Sequence, residues 1–166
     1  MQENYELVQK GFRILHPLMA GYIGREFNRV YHDNWWQEVL DTLSDQLRDL
    51  PDRGDYSTLV DSLDVANCLR LIDRKWREVF SSKLSIDYRT KELMGVRNKM
   101  AHIGQQDIDQ SYAERALDTI ALLCAAFDAD GAEEIRALYR TLRYGSAAGS
   151  AAVTENAAPI KTGKKS

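Results

Sequence analysis

The chain has 166 residues, 44% of them hydrophobic and 28% charged, with a formal net charge of −3; this composition fits a globular chain of one domain plus a tail. No apolar run approaches the ~20 residues that span a bilayer. The polar start Met1-Gln2-Glu3-Asn4 lacks the basic-then-apolar layout of a secretion signal, so the protein is expected to be cytoplasmic, with no membrane partner.

The spacing of Tyr5, Val8, Phe12, Leu15, Met19, Ile23, Phe27 and Val30 predicts one long first helix from about Tyr5 to Tyr31. Pro17 interrupts it, so a kink or break is expected near His16, which is read as held by local packing. Asn34 with Gln37 resembles a capping box that restarts the chain, with Trp36, Leu40, Leu43, Leu47 and Leu50 along one face of a second helix. Paired indoles at a helix start, Trp35-Trp36, are read as a clamp at a bundle corner rather than a base-stacking platform. After the loop Pro51 to Asp55, a helix is predicted from about Thr58 to Phe80. Its apolar stripe includes Leu59, Leu63, Leu69, Ile72, Trp76 and Val79.

Charge divides the middle of the chain. From Trp36 to Leu69 there are eight acidic and two basic residues; from Arg70 to His102 there are nine basic and four acidic. The low overall charge argues against general nucleic-acid affinity, but the basic part is where a phosphate-binding site would lie. Lys99, Arg74, Arg77 and Lys91 are the candidates for RNA contact, set against the plainer reading of solvated helix faces.

In that basic part, Ser85 is a plausible cap for a helix whose stripe is Ile86, Leu93, Val96, Met100 and Ile103, and Gly104 ends it. The last turn carries Arg97-Asn98-Lys99-Met100-Ala101-His102. Beyond a short polar loop, Ala113, Ala116, Ile120, Leu123 and Phe127 return antiparallel. Asp130 with Glu133 opens a last helix to about Arg143. From Gly145 the run Gly-Ser-Ala-Ala-Gly-Ser-Ala-Ala reads as a flexible linker, joined to a further module or ending as a basic tail. Cys68 and Cys124 sit among aliphatic residues and read as buried thiols. There is no glycine-rich phosphate loop, no metal-spaced Cys/His set and no identifiable Ser/His/Asp arrangement, so neither metal nor cofactor is expected.

The pattern Arg-polar-x-x-x-His at a helix end resembles the signature of the HEPN superfamily, helical-bundle domains that include metal-independent endoribonucleases. Glu92-Leu93-x-x-Val96-Arg97-Asn98-x-x-Ala101-His102, followed by Arg115-Ala116-Leu117-Asp118-Thr119, is similar to the Swt1-type HEPN subgroup, which is fused to PIN-type RNases in eukaryotes and to large P-loop ATPases in bacteria. With the long first helix and Trp35-Trp36, the likeness covers roughly residues 5 to 128, a whole domain. The resemblance implies an all-α antiparallel bundle over residues 1–144 with a linker over 145–166, a homodimer, RNA as substrate or partner, and a covalently linked ATPase or nuclease module. A role in defence systems is implied only by the company such domains keep. It departs from one HEPN branch. Toxins silenced by nucleotide transfer carry a tyrosine two residues after the histidine, where this chain has Gly104.

The chemistry can be read from the residues. Metal-free RNA cleavage by the 2′-OH needs proton transfer and positive charge on the developing phosphorane. His102 can transfer protons, Arg97 can clamp phosphate oxygens, and Asn98 can orient the imidazole or contact phosphate. At about 100° per residue Arg97 and His102 lie roughly 140° apart, so spacing alone does not aim them at one atom. A long Arg side chain and an unwinding last turn can close part of the gap, and the resemblance implies that a second protomer closes the rest. The alternative is a docking or dimerisation module that does not cut, in which Arg97 and His102 merely complement the helix dipole.

Overall fold

The computed structural model describes residues 2–47, 49–82 and 84–145. The first apolar stripe folds as a single helix, α1 (Glu3–Tyr31), against which α2, α3, α4, α6 and α7 pack. It runs on through Pro17, so of the kink or break expected near His16 the break does not occur. An interior proline costs ~3 kcal/mol or more, but Leu15, Met19 and Ile23 on either side of it are completely buried. Each contributes ~1.5–3 kcal/mol, which outweighs the lost bond. His16 is held from a distant part of the chain rather than by local packing: its Nε2 donates to the Leu63 carbonyl at 2.6 Å.

His32 turns the chain with φ 54°. Residues His32–Asn34 form a 3-10 turn, and Asn34 makes no side-chain cap, so the predicted capping box is absent. Its backbone already has turn-like angles (φ −89°, ψ 5°) rather than the extended ones a capping residue needs. Helix α2 (Trp35–Thr42) stops well short of Leu50, because Arg74 Nη1 takes the Thr42 carbonyl at 2.8 Å and binds Asp45 at 2.7 Å. Both indoles are buried, and Trp36 Nε1 donates to the Pro51 carbonyl at 2.8 Å, so the pair clamps a corner. The loop lies flat on that indole. A Cβ at Gly54 would come within 2.6 Å of Trp36 ring atoms.

The helix expected from Thr58 to Phe80 is three elements. Asp55 and Thr58 form a reciprocal capping box on α3 (Tyr56–Ser62). Leu63 is extended, and Asp64 caps α4 (Val65–Arg74) by accepting from Asn67 N at 2.9 Å. A π-helical turn follows at Trp76–Phe80. The motif helix is α5 (Leu84–His102); the proposed cap Ser85 falls just inside it, and its side chain lies outside the described residues. α6 (Gln110–Cys124) returns beside α5, and α7 (Ala129–Arg140) is capped by Asp128 rather than Asp130, through Gly131 N at 2.7 Å. A second π-helical turn ends at Gly145; the rest of the predicted linker lies outside the described residues.

These seven helices make an all-α bundle, with no strand among the described residues. None of them is long and apolar enough to cross a membrane. Both cysteines are free and buried, and burial pushes their thiols up, to about 12 at Cys68 and about 11 at Cys124.

Candidate functional site

The last turn of α5 is fixed from three directions. Leu93, Val96 and Met100 are buried beneath it. Gly104, at φ +70°, then reverses the chain in the conformation that favours glycine. The loop beyond is tied to the start of α1. Gln2 Nε2 donates to the carbonyls of Gly104 and Gln106 at 2.9 and 2.8 Å, and the Asp107 carboxylate accepts from Asn4 N and Tyr5 N at 3.1 and 2.8 Å. Asp107 thereby caps α1 from a distant part of the sequence, where the dipole favours an anion.

The third tie joins α5 to α6 and uses residues singled out in the sequence. Glu92 accepts from Arg115 at 3.0 and 3.2 Å, and from the buried Thr119 hydroxyl at 2.8 Å. About two turns further along α5, within the motif itself, the Lys99 ammonium sits 4.2 Å from the centre of the Tyr112 ring. The two halves of the pattern, Glu92 to His102 and Arg115 to Thr119, therefore meet as the seam that aims the motif helix.

His102 is exposed, and its Nδ1 lies 2.8 Å from the backbone carbonyl of Asn98. A carbonyl only accepts, so Nδ1 carries the hydrogen, and in the neutral ring Nε2 is left with its lone pair. The orienting group is thus the backbone of Asn98; its side chain is exposed. Arg97 takes another direction. Its half-buried guanidinium is 3.8 Å from Asp64 Oδ2, at the junction of α3 and α4. Within one protomer Arg97 and His102 diverge, as the helical angle requires.

Of the expected RNA contacts, Lys91 and Lys99 line a cavity of about 1190 Å³ between α5 and α6, with the exposed Tyr88 and with Gly95, Tyr112 and Arg115. Arg74 is engaged with Asp45 and the end of α2. Arg77 lines a smaller cleft, shared with Arg74 and Lys91 and with the carboxylates of Asp73, Glu78 and Asp87. The four cations do not converge on one point. Sequence reasoning missed a third cleft, where Arg97 joins Tyr5, Gln9, Arg13, His16 and Asp64. The signal was present in the four- and three-residue steps from Tyr5 through Gln9 and Arg13 to His16, which share one helix face. Among the described residues no group of three or more His, Cys, Asp or Glu is placed to hold a metal ion.

Among the described residues the arrangement is a seven-helix bundle with an Arg-Asn-x-x-x-His turn at the end of a helix that α6 clamps. The family model for Swt1-like HEPN domains matches residues 10–128. The chain belongs to the Swt1-like HEPN family. No curated protein and no solved structure matches it.

Proposed function

We propose that this domain acts on RNA as a metal-independent endoribonuclease whose cleft is assembled by two copies of the chain. The observation that carries the reading is the His102 ring, held through Nδ1 by the Asn98 carbonyl with Nε2 at the protein surface. An imidazole in that tautomer is a general base. It takes the proton of a ribose 2′-OH, and the oxygen attacks the adjacent phosphorus. The bond from phosphorus to the 5′-oxygen breaks, leaving a 2′,3′-cyclic phosphate and, after protonation, a 5′-hydroxyl. Solvent supplies the proton for that leaving oxygen, and Arg97 of the partner subunit balances charge on the phosphorane.

Two features favour a symmetric pair. Arg97 rests toward Asp64 while His102 is held at the exposed end of α5, which supports a reading in which a second copy brings an arginine and a histidine to one phosphate. The α5–α6 groove also carries charges of both signs, Lys91, Lys99 and Arg115 beside Asp87, Glu92 and Asp109, which suits a two-fold, self-complementary interface.

A second reading is favoured by one observation. Arg97 rests beside Asp64, so the same surface suits a module that docks RNA, or a covalently linked ATPase or nuclease, without cutting. The test is cleavage of a labelled mixed-sequence single-stranded RNA in excess EDTA, native chain against His102→Ala at matched folding and oligomeric state. Cyclic-phosphate ends that vanish in the variant support the nuclease. No cutting by a folded dimer that still binds RNA favours the docking module.

A further inference from the structure

Arg97 is not the only cation in its cleft. Arg13 and His16 reach it from α1 at i,i+3 spacing, with Tyr5 and Gln9 on the same face, and together with Asp64 they line a space of about 470 Å³. The charge count is lopsided: two guanidinium groups face one carboxylate. That carboxylate is already divided, since Asp64 Oδ1 caps α4 through Asn67 N at 2.9 Å while Oδ2 stands 3.8 Å from Arg97. At 3.8 Å the pair is an ion pair without a short hydrogen bond, and a partly exposed pair of this kind is easily given up. Arg13 is exposed and has no carboxylate partner among the described residues. His16 is fixed by its bond from Nε2 to the Leu63 carbonyl, so its ring is already ordered at the cleft.

From this geometry we infer that Arg13 reaches from α1 to join Arg97 in a phosphate subsite for the RNA backbone, with the His16 ring as an ordered wall beside them. The inference rests on the RNA reading above. It gives Arg97 a neighbour set that the motif alone lacks. An incoming phosphodiester accepts from Arg13 and Arg97, with Gln9 and Tyr5 as further donors, and displaces Asp64 Oδ2 without disturbing the cap made by Oδ1. Because α5 carries Arg97 on this flank and His102 at its exposed tip, a strand held here passes the end of the motif helix.

Binding is tested without cleavage, with a 2′-O-methyl single-stranded RNA and fluorescence anisotropy across a salt series. Arg13→Ala, an exposed change that leaves the core intact, is expected to raise Kd several-fold and to flatten the slope of log K against log salt by about 0.7, the value of one lost phosphate contact on a single strand. Asp64→Asn keeps a capping side chain and removes the competing charge, so it is expected to tighten binding. In the cleavage assay Arg13→Ala is expected to raise KM and leave kcat near the native value. Native binding with Arg13→Ala and Asp64→Asn both indistinguishable from it overturns the subsite and leaves the RNA reading standing. A native chain that binds no RNA overturns that reading and the subsite with it.

Discussion

The imidazole of His102 is held by the backbone of Asn98: Nδ1 donates to that carbonyl, 2.8 Å away and one turn earlier in α5. Because the carbonyl belongs to the main chain, the tautomer does not depend on the side chain at position 98. Nitrogen-15 NMR of the imidazole is therefore expected to show hydrogen on Nδ1 in the native chain and equally in Asn98→Ala. Loss of that signature in Asn98→Ala would return the orienting role to the side chain.

Glu92 closes the seam that aims the motif, and the buried Thr119 hydroxyl depends on it. Glu92→Ala leaves that hydroxyl without its acceptor and is expected to destabilise the fold by ~1–3 kcal/mol. Urea unfolding measures the loss; an unchanged midpoint would mean that α5 and α6 are held by apolar packing alone.

Gly104 adopts φ +70° where α5 hands over to the loop that Gln2 and Asp107 tie to α1. A side chain in that region costs ~1–2 kcal/mol. Gly104→Ala is thus expected to lower Tm by several degrees, as read by thermal circular dichroism. Gly95→Ala, whose added Cβ meets nothing within 4 Å on an exposed helical position, is expected to leave Tm unchanged or raise it.

Two carboxyls are held at about 2, Asp45 mainly by its hydrogen bond with Arg74 and Asp55 mainly by the Thr58 backbone N–H. Their ordinary value is 3.8, so the folded state binds fewer protons than the unfolded state between about 4 and about 2. Their contribution is complete above that window and is lost as pH falls through it. Asp45→Asn and Asp55→Asn are expected to flatten the fall in urea midpoint over this range relative to the native chain; a slope equal to the native one would contradict the assignment.

Much of the bundle was legible because its signals are local. The stripes of α1, α5 and α6 repeat at helical spacing, the Trp35-Trp36 corner is a clamp, and Gly104 ends the motif helix where the pattern stops. The errors fall where distant groups decide. Helix α2 ends at Thr42 because Arg74 takes its carbonyl from another helix, and α3 parts from α4 where His16 takes the Leu63 carbonyl and Asp64 begins a new cap. No periodicity encodes those bonds. Pro17, by contrast, gave a true local signal that burial of its neighbours overrode. The motif was readable as six consecutive residues, and its seam through Glu92 and Arg115 as part of a family pattern. Arg13 and His16 share a helix face in the sequence, but only the tertiary fold brings that face to Arg97.

The proposed cleft takes its arginine and its histidine from different protomers. The direct measurement mixes Arg97→Ala with His102→Ala under conditions that exchange subunits, and follows cleavage of single-stranded RNA in excess EDTA. Each variant alone is expected to be inactive. Half of a random mixture is heterodimer with one intact composite site in two, so about one quarter of native activity should return in a two-fold pair. A mixture as inactive as its components, with heterodimers demonstrably formed and the native chain active, would contradict the shared cleft.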